Sequence, residues 1–206
     1  MSDGEINDYG YSHANRTWDD DYVLKPIIKI LSEQKSTREI FEVGCGNGTT
    51  ANHLSSIGYE MTGIDSSVSG IKAANKAFPN LSLAVGSAYD ELSASYGKFP
   101  CVLSIEVIEH CYYPRKLVQS VYDLLEEGGI GIITTPYHSY WKNLAMAVTG
   151  KMDFHYTALW DGGHIKFFSV STMTELLNEF GFKNIRFIRA GRIPILAKSM
   201  VVTFKK

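Results

Sequence analysis

Hydrophobic positions along the chain follow two spacings, one typical of strands and one typical of helices. Short apolar, β-branched runs predict strands, and apolar residues three and four positions apart predict helices. Up to residue 136 the predicted elements are, in chain order, the helix Trp18–Gln34, the strand Glu39–Val43, the helix Thr49–Ile57, the strand Tyr59–Ile64, the helix Val68–Phe78, the strands Leu81–Val85 and Cys101–Ile105, the helix Pro114–Glu126 and the strand Ile130–Thr134. Strands that alternate with helices predict a parallel, doubly wound α/β sheet.

The C-terminal part departs from this alternation. After a predicted helix over Val170–Phe180, the strands Ile185–Arg189 and Ala197–Phe204 follow with only a loop between them. Two consecutive strands without a helix between them form an antiparallel pair. We therefore expect a mostly parallel, seven-stranded sheet with an antiparallel last strand.

Two segments lie outside this pattern. Residues 1–15 are polar and predict a flexible N-terminal tail. Residues 137–163 are longer than a strand-to-helix connection needs and rich in aromatic residues, which predicts a lid over a ligand site. Within the lid, Ser139–Thr149 has helical apolar spacing, which indicates either a helix packed on the domain or a surface that contacts membrane lipid or a lipophilic substrate. We expect residues 1–206 to form a single domain.

Composition narrows the class of protein. The formal net charge of −2 gives no basic field, so we expect no nucleic-acid partner. The three cysteines have no metal or disulfide spacing, and the acidic N-terminus does not resemble a signal peptide, so we expect a cytoplasmic protein. Because no His/Cys cluster has ligand spacing and acids near the expected site are few, we also expect no metal requirement.

The strongest local motif is Glu42-Val43-Gly44-Cys45-Gly46-Asn47-Gly48, which follows a predicted strand and opens a helix. Glycines there allow a tight turn and close approach of a ligand to the backbone. Asp65 ends the second strand 21 residues after Gly44, where an acid binds ribose hydroxyls in nucleotide-binding sheets.

A nicotinamide dinucleotide would use a similar layout, but two features disfavour it. The third glycine comes one residue too early for the G-x-G-x-x-G fingerprint. Glu42 would repel a pyrophosphate, whereas it would attract a ligand that carries an ammonium group. S-adenosylmethionine has an ammonium, a carboxylate, a sulfonium and a ribose, and it has no phosphate.

With these motifs, the chain resembles the class I S-adenosylmethionine-dependent methyltransferases, from about residue 38 to its end. Within that family, Ile105-Glu106-Val107-Ile108-Glu109-His110 is similar to the segment after strand four in the ubiquinone-biosynthesis type of O-methyltransferase. The resemblance implies a Rossmann-like fold, S-adenosylmethionine as cofactor and S-adenosylhomocysteine as product.

The resemblance also implies cofactor-binding roles. The loop Gly44–Gly48, including Cys45, Gly46 and Asn47, would hold the methionine part, and Glu42 would face its ammonium. Asp65 would bind the ribose, Ser66 would line the adenine side and Glu106 would face the methionine or the reaction cleft. Many relatives have an acid before Ala after strand three; here Ser87 and Ala88 stand in that place, and the Ser87 hydroxyl can accept the hydrogen bond instead.

Two histidines are candidates for the chemistry. His110 follows strand four, and His164 follows the aromatic lid, where relatives carry a similar His-x-x-x-Phe-Ser stretch. Transfer to a hydroxyl requires loss of a proton, and histidine suits a general base. Each histidine has a purely structural alternative, a hydrogen bond to a loop carbonyl.

The expected function is methyl transfer to a small-molecule acceptor, aromatic or lipophilic and most consistent with a hydroxyl oxygen. The chain lacks an Asn/Asp-Pro-Pro-Tyr motif of amino-group methylation, while carbon as the acceptor atom stays open. A non-catalytic S-adenosylmethionine-binding module is the alternative, and a nicotinamide oxidoreductase is disfavoured.

Overall fold

Seven strands form one sheet in a computed structural model that describes residues 21–34, 38–156 and 158–206. Its strands are β1 (Glu39–Val43), β2 (Glu60–Asp65), β3 (Ser82–Val85), β4 (Phe99–Ile105), β5 (Leu125–Pro136), β6 (Lys183–Ala190) and β7 (Ser199–Lys205). The spatial order is β3-β2-β1-β4-β5-β7-β6, and β7 is antiparallel to both of its neighbours. The predicted fold class, a mostly parallel sheet with an antiparallel last strand, is confirmed.

Helices and short 3₁₀ turns connect the strands. The helices are α1 (Asp21–Glu33), α2 (Thr49–Ser56), α3 (Val68–Ala77), α4 (Leu92–Tyr96), α5 (Pro114–Leu124), α6 (Tyr140–Val148), α7 (Met152–Tyr156) and α8 (Val170–Glu179). The 3₁₀ turns are Ile108–His110 and Pro194–Leu196. No helix in the described ranges is long and apolar enough to cross a membrane.

The element boundaries agree with the sequence predictions to within a few residues, with informative exceptions. β5 begins at Leu125, because Leu125 pairs with Phe99 of β4 before the chain reaches the glycines at 128 and 129. The short helices α4 and α7 were not predicted. The tail 1–15 and the start of the predicted first helix lie outside the described residues, and a single domain over the whole chain stays a prediction.

Both faces of the sheet are covered, and β1 shows how. Ile40 and Phe41 are consecutive and fully buried, yet they belong to two separate apolar cores. Ile40 packs in the core that contains Ile27 of α1 and Leu54 of α2, and Phe41 packs in the core that contains Leu117 of α5. Successive side chains of a strand point to opposite faces, so a strand covered on both sides is apolar throughout.

The strand order reverses direction at β1. The chain proceeds outward from β1 through β2 to β3 and then returns to β4 on the other side of β1. The loops that follow β1 and β4 therefore diverge at the carboxyl ends of the strands. Ligands of open α/β sheets bind in the crevice that such a reversal creates.

Gly131 is fixed by the packing of β5 against β7. Gly131 pairs with Phe204, and a Cβ at Gly131 would overlap the Phe204 ring. We expect Gly131→Ala to lower the free energy of unfolding by about 1–3 kcal/mol, because the extra carbon overpacks a closed core. In chemical denaturation, the double variant with Phe204→Leu should lose less than the sum of the two single losses; strictly additive losses would contradict this account.

Candidate active site

The loop after β1 approaches the loop after β4 closely. Gly44, Gly46 and Gly48 all have positive φ, at 85°, 52° and 75°. A Cβ at Gly44 would also overlap the side chain of Val107. At Gly44, both the backbone conformation and the available space therefore require glycine.

Asp65 fastens this loop to the end of β2. Its carboxylate accepts a hydrogen bond from the Gly46 amide at 2.7 Å and another from the Ser67 amide at 2.8 Å. The Ser67 side chain in turn caps α3 by accepting from Gly70 at 3.0 Å. The predicted ribose-binding carboxylate thus lies directly against the glycine loop, with the half-buried Ser66 beside it.

Glu42 is a buried acid beneath the same loop. It is 1% exposed, and its Oε2 atom has no hydrogen-bond partner among the described residues. Burial, and secondarily the charge of Asp65, raises the pKa of Glu42 to about 8. Burial and these two acids also raise the pKa of the neighbouring Cys45 thiol. A cationic group at this position would relieve the cost of burying the Glu42 carboxylate, so the site fits an ammonium-bearing cofactor.

Glu106 is held where β4, β5 and β7 meet. Its φ is 53°, an uncommon value for a residue other than glycine. The Thr134 hydroxyl accepts from the Glu106 amide at 3.0 Å and donates to its Oε1 at 2.9 Å. The Ser199 hydroxyl donates to its Oε2 at 3.3 Å. A strained backbone with a tethered carboxylate at the carboxyl edge of a sheet is typical of a functional position.

The remaining predicted cofactor residues take part in loop structure. The Asn47 side-chain oxygen accepts from the Thr49 hydroxyl at 3.0 Å, at the start of α2. The Ser87 hydroxyl accepts from the Tyr89 amide at 3.1 Å, and the Ala88 carbonyl accepts from the Ser120 hydroxyl at 2.8 Å. The Ser87 oxygen that was expected to accept from adenine therefore already accepts one hydrogen bond.

A cavity of about 480 Å³ opens beside Glu106. It lies between α1, the end of β4 and the segment at the end of the lid that carries Trp160 and His164. Its lining includes Tyr22 of α1, Glu109, His110, Trp160 and His164. Tyr22, whose hydroxyl hydrogen-bonds Ser199 at 3.2 Å, was not predicted, because no local motif marks it.

Both candidate histidines lie at this cavity, against each other. Their ring centroids are 4.8 Å apart, and the His164 ring also contacts Trp160 at 5.7 Å. His110 Nδ1 lies 2.9 Å from the Gly162 carbonyl oxygen and 3.3 Å from that of Gly163. One nitrogen of His110 thus makes the purely structural hydrogen bond to a loop carbonyl, while both histidines still line the cavity.

Burial keeps both histidines neutral near pH 7. It lowers the pKa of His164 to about 4, with the charges of His110 and His155 as smaller causes. Burial also lowers the pKa of His110, against the opposing effect of the Gly162 and Gly163 carbonyls. A neutral imidazole can accept a hydrogen bond or bind a cation through its lone pair.

Glu109, beside the histidines, is fully buried, and neither of its carboxylate oxygens has a hydrogen-bond partner among the described residues. Burial, and then the charge of Glu106, raises its pKa well above the usual value. The Glu109 amide and the Thr135 hydroxyl lower the pKa of Glu109 and so oppose this rise, although neither has the geometry of a hydrogen bond to the carboxylate.

No metal requirement was expected because the sequence shows no group of ligands, but the fold brings such a group together. One ligand atom each from Glu109, His110 and His164 lie within 4.8 Å of one another. The third residue is 54 positions further along the chain than His110, so no spacing rule applied to the sequence reveals the group.

The helix of the lid does not follow the simpler of its two predictions, a helix packed on the domain. Trp141 and Val148 of α6 are 58% and 78% exposed, so the apolar stripe of this helix is not packed on the described part of the domain. Lys142 of the same helix is buried. Its Nζ donates to the carbonyls of Tyr137 at 2.8 Å and Lys198 at 3.3 Å, which anchors α6.

The profile of a family described as a methyltransferase domain matches residues 14–186. The chain therefore belongs to this methyltransferase family, and the predicted resemblance to class I S-adenosylmethionine-dependent methyltransferases is confirmed. The predicted cofactor, S-adenosylmethionine, is confirmed with it.

Among curated relatives, the chain is similar to ubiquinone biosynthesis O-methyltransferases. It is 32% identical to that of Caulobacter vibrioides over 115 residues, which cover 54% of this chain and 45% of the relative. It is 28% identical to that of Dinoroseobacter shibae over 153 residues, which cover 71% and 60%. The chain thus spans only about half the length of the curated relatives it matches.

Solved structures share the fold at low identity. The methyltransferase domain of bacterial CtHen1-CN superposes with a TM-score of 0.68 at 19% identity and covers 89% of this chain and 97% of that one. A methyltransferase from Archaeoglobus fulgidus described as S-adenosylmethionine-dependent gives 0.67 at 15% identity and covers 92% and 98%. These likenesses establish the fold.

If Asp65 binds the ribose, its removal should weaken cofactor binding. We expect Asp65→Ala to lose two charge-assisted hydrogen bonds, each worth about 1.5–3 kcal/mol, and Asp65→Asn to lose part of that. Calorimetric titration with S-adenosylmethionine measures the change. A nicotinamide dinucleotide should give no binding to the wild type.

Because Asp65 also binds the Gly46 amide, the melting temperature of each variant without cofactor serves as the control. An affinity for S-adenosylmethionine within threefold of the wild type in a folded Asp65→Ala variant would contradict the assignment.

Proposed function

We propose that this chain transfers the methyl group of S-adenosylmethionine to a hydroxyl oxygen of a small acceptor. The observation that carries the proposal is the cavity of about 480 Å³, which extends from Glu106, beside the cofactor loop, to His110 and His164. Its volume is in the range of small-molecule sites. Oxygen as the acceptor atom is supported by the names of the curated relatives and by the absence of an amino-methylation motif from the sequence.

The residues contribute mainly alignment and exclusion of water. When bound, S-adenosylmethionine supplies a methyl group already activated by its sulfonium, and transfer is an in-line displacement in which a C–O bond forms as the C–S bond breaks. Glu42, Asp65 and the glycine loop would hold the cofactor, and Trp160 would shield the acceptor side from water. Holding two reactants in line is itself a large contribution to rate.

His164 and His110 would bind the acceptor hydroxyl. A neutral imidazole accepts a hydrogen bond from that hydroxyl and so orients an oxygen lone pair toward the methyl group. The lowered pKa of His164, about 4, makes it a weak proton acceptor by itself. We therefore assign it the positioning of the hydroxyl, whose proton would pass to a water molecule as the C–O bond forms.

The acceptor we propose is aromatic or lipophilic, reached through the lid. The supporting observation is the exposed apolar face of α6, which includes Trp141 and Val148. Such a helix can lie at a membrane interface and take a lipophilic acceptor from it.

A cytoplasmic location is consistent with the three cysteines, which are free and buried.

A test of catalysis combines a screen with a matched pair of variants. Incubation with methyl-labelled cofactor and a metabolite extract should yield a labelled product, whereas a non-catalytic binding module would bind cofactor and yield none. On the acceptor found, we expect His164→Ala to lower turnover at least tenfold with cofactor affinity unchanged, because the acceptor hydroxyl loses its partner.

His53→Ala on α2, outside the cavity lining, is the control and should retain wild-type turnover. Turnover reduced less than tenfold in a folded His164→Ala variant would remove His164 from the acceptor site. A parallel loss of cofactor affinity would make its role structural.

Membrane contact through residues 139–149 has a separate test. We expect the double variant Trp141→Gln/Val148→Gln to lose binding to anionic phospholipid vesicles in cosedimentation, because it removes the exposed apolar face of α6. Val68→Gln on α3 removes an apolar residue that is also exposed, 60%, and should not change binding. Equal binding by all three proteins would refute the contact.

A further inference from the structure

Glu42 is an acid in apolar surroundings near the carboxyl end of β1. It is 1% exposed, and it pairs in register with Gly63 of β2 and Leu103 of β4. Its Oε2 atom has no hydrogen-bond partner among the described residues. A carboxylate in such a place is costly unless a cation or several hydrogen bonds compensate its charge.

The neighbouring acid makes ionisation of Glu42 less favourable still. Both carboxylate oxygens of Asp65 accept backbone hydrogen bonds, from the Gly46 amide at 2.7 Å and from the Ser67 amide at 2.8 Å. Hydrogen bonds from amides favour the charged form of a carboxyl group. Asp65 therefore carries the negative charge at this place, and Glu42 beside it keeps its proton.

No cation in the described ranges compensates Glu42, since none forms an ion pair with it. Burial raises the pKa of the neighbouring Cys45 thiol, which is therefore neutral. The helices α1 and α2 cover the face of the sheet to which Ile40 belongs. Their described ionisable side chains other than tyrosine are at the surface or half-buried: Lys25, Lys29, Glu33 and His53.

These surroundings keep Glu42 neutral in the absence of a cofactor. Burial, and then the charge of Asp65, raises the pKa of Glu42 to about 8. At pH 7 the protonated form therefore exceeds the ionised form by about tenfold. Of the two cationic groups of S-adenosylmethionine, only the ammonium can donate hydrogen bonds, and an ionised carboxylate accepts them better than a neutral one.

We infer that Glu42 is protonated in the cofactor-free protein and releases its proton to solvent when S-adenosylmethionine binds. The O–H bond of the Glu42 carboxyl breaks, the proton passes to the buffer, and the carboxylate pairs with the ammonium of the cofactor. The net charge of the pair is zero before and after the exchange. The inference concerns the cofactor alone and goes beyond the proposed function, because it requires no methyl acceptor.

The exchange couples cofactor affinity to pH. When binding releases one proton, affinity rises about tenfold for each unit of pH below the pKa of the group that loses it. The ammonium of the cofactor is an α-amino group, which loses its own proton at about pH 7.7–8.0. Between pH 6 and 7 the ammonium stays charged, so the pH dependence there reports on Glu42.

The experiment is a calorimetric titration of the full chain with S-adenosylmethionine. At pH 6.5 it is carried out in phosphate and in imidazole buffer, which differ in ionisation enthalpy, and the difference in heat gives the number of protons released. We expect about one proton for each cofactor bound. Between pH 6 and 7 the affinity should rise about tenfold.

A variant and a matched control make the result specific. Glu42→Gln resembles the protonated acid in shape but has no proton to release, so it should bind without proton release and with less than twofold change in affinity from pH 6 to 7. Glu39→Gln removes an exposed acid at the start of the same strand, and it should match the wild type in both measurements.

Thermal unfolding without cofactor gives a second measurement, which decides if Glu42→Gln binds too weakly for calorimetry. The unfolded chain loses the Glu42 proton near the ordinary pKa of 4.5, whereas the folded chain keeps it up to about 8. The contribution of Glu42 to stability therefore falls as pH rises through this range. From pH 5.5 to 7.5 the melting temperature of the wild type should fall relative to that of Glu42→Gln.

Equal proton release by the wild type and Glu42→Gln, or binding to the wild type with no proton release, would overturn the inference. An unchanged difference in melting temperature between the two proteins from pH 5.5 to 7.5 would also overturn it. Methyl transfer is measured separately. Proton release without any methyl acceptor would leave the inference standing and refute the proposed function, and methyl transfer without proton release on cofactor binding would do the reverse.

Discussion

The pairing of β1 with both β2 and β4 determines where everything else in the site can lie. The strand order reverses at β1. The chain therefore leaves the carboxyl end of β1 toward β2, and it leaves the carboxyl end of β4 toward β5, on the opposite side. The glycine loop and the segment Glu106–His110 consequently flank one crevice. The overlap that a Cβ at Gly44 would make with Val107 shows how tightly the two loops approach.

Four acids accumulate at this edge, and their placement limits what can bind there. Glu42 and Asp65 interact beneath the glycine loop, and Glu106 and Glu109 interact beside the cavity. Burial, and then the charge of the neighbouring acid, raises the pKa of Glu42 and of Glu109, so each region favours a positively charged ligand. A cofactor with an ammonium and a sulfonium meets that condition, whereas a dinucleotide with a pyrophosphate does not. The electrostatics therefore agree with the family assignment independently of the motif.

The sequence predicted those features that depend on neighbouring residues. The glycine loop, Asp65 and the alternation of strands and helices follow from local spacing, and the structure has them within a few residues of the predicted positions. The missed features depend on distant contacts. The early start of β5 follows from the pairing of Leu125 with Phe99, and the burial of Lys142 follows from carbonyls of Tyr137 and Lys198. Nothing in the local sequence distinguishes this lysine from an exposed one.

The histidine pair shows why the chemistry is harder to predict than the cofactor site. Each histidine was a reasonable general base when considered alone, because an isolated imidazole titrates near neutral pH. The fold brings the two rings together at 4.8 Å in a partly buried position beside the Glu109 carboxylate, whose oxygens have no hydrogen-bond partner in the part of the chain that the structure describes. That environment lowers the pKa of His164 to about 4 and thus weakens it as a base. The same environment leaves the His164 imidazole neutral at a cavity that His110 and Glu109 also line. Burial thus disfavours removal of the acceptor proton by a histidine alone, the role that the sequence suggested, and leaves a neutral imidazole that can accept a hydrogen bond from a hydroxyl.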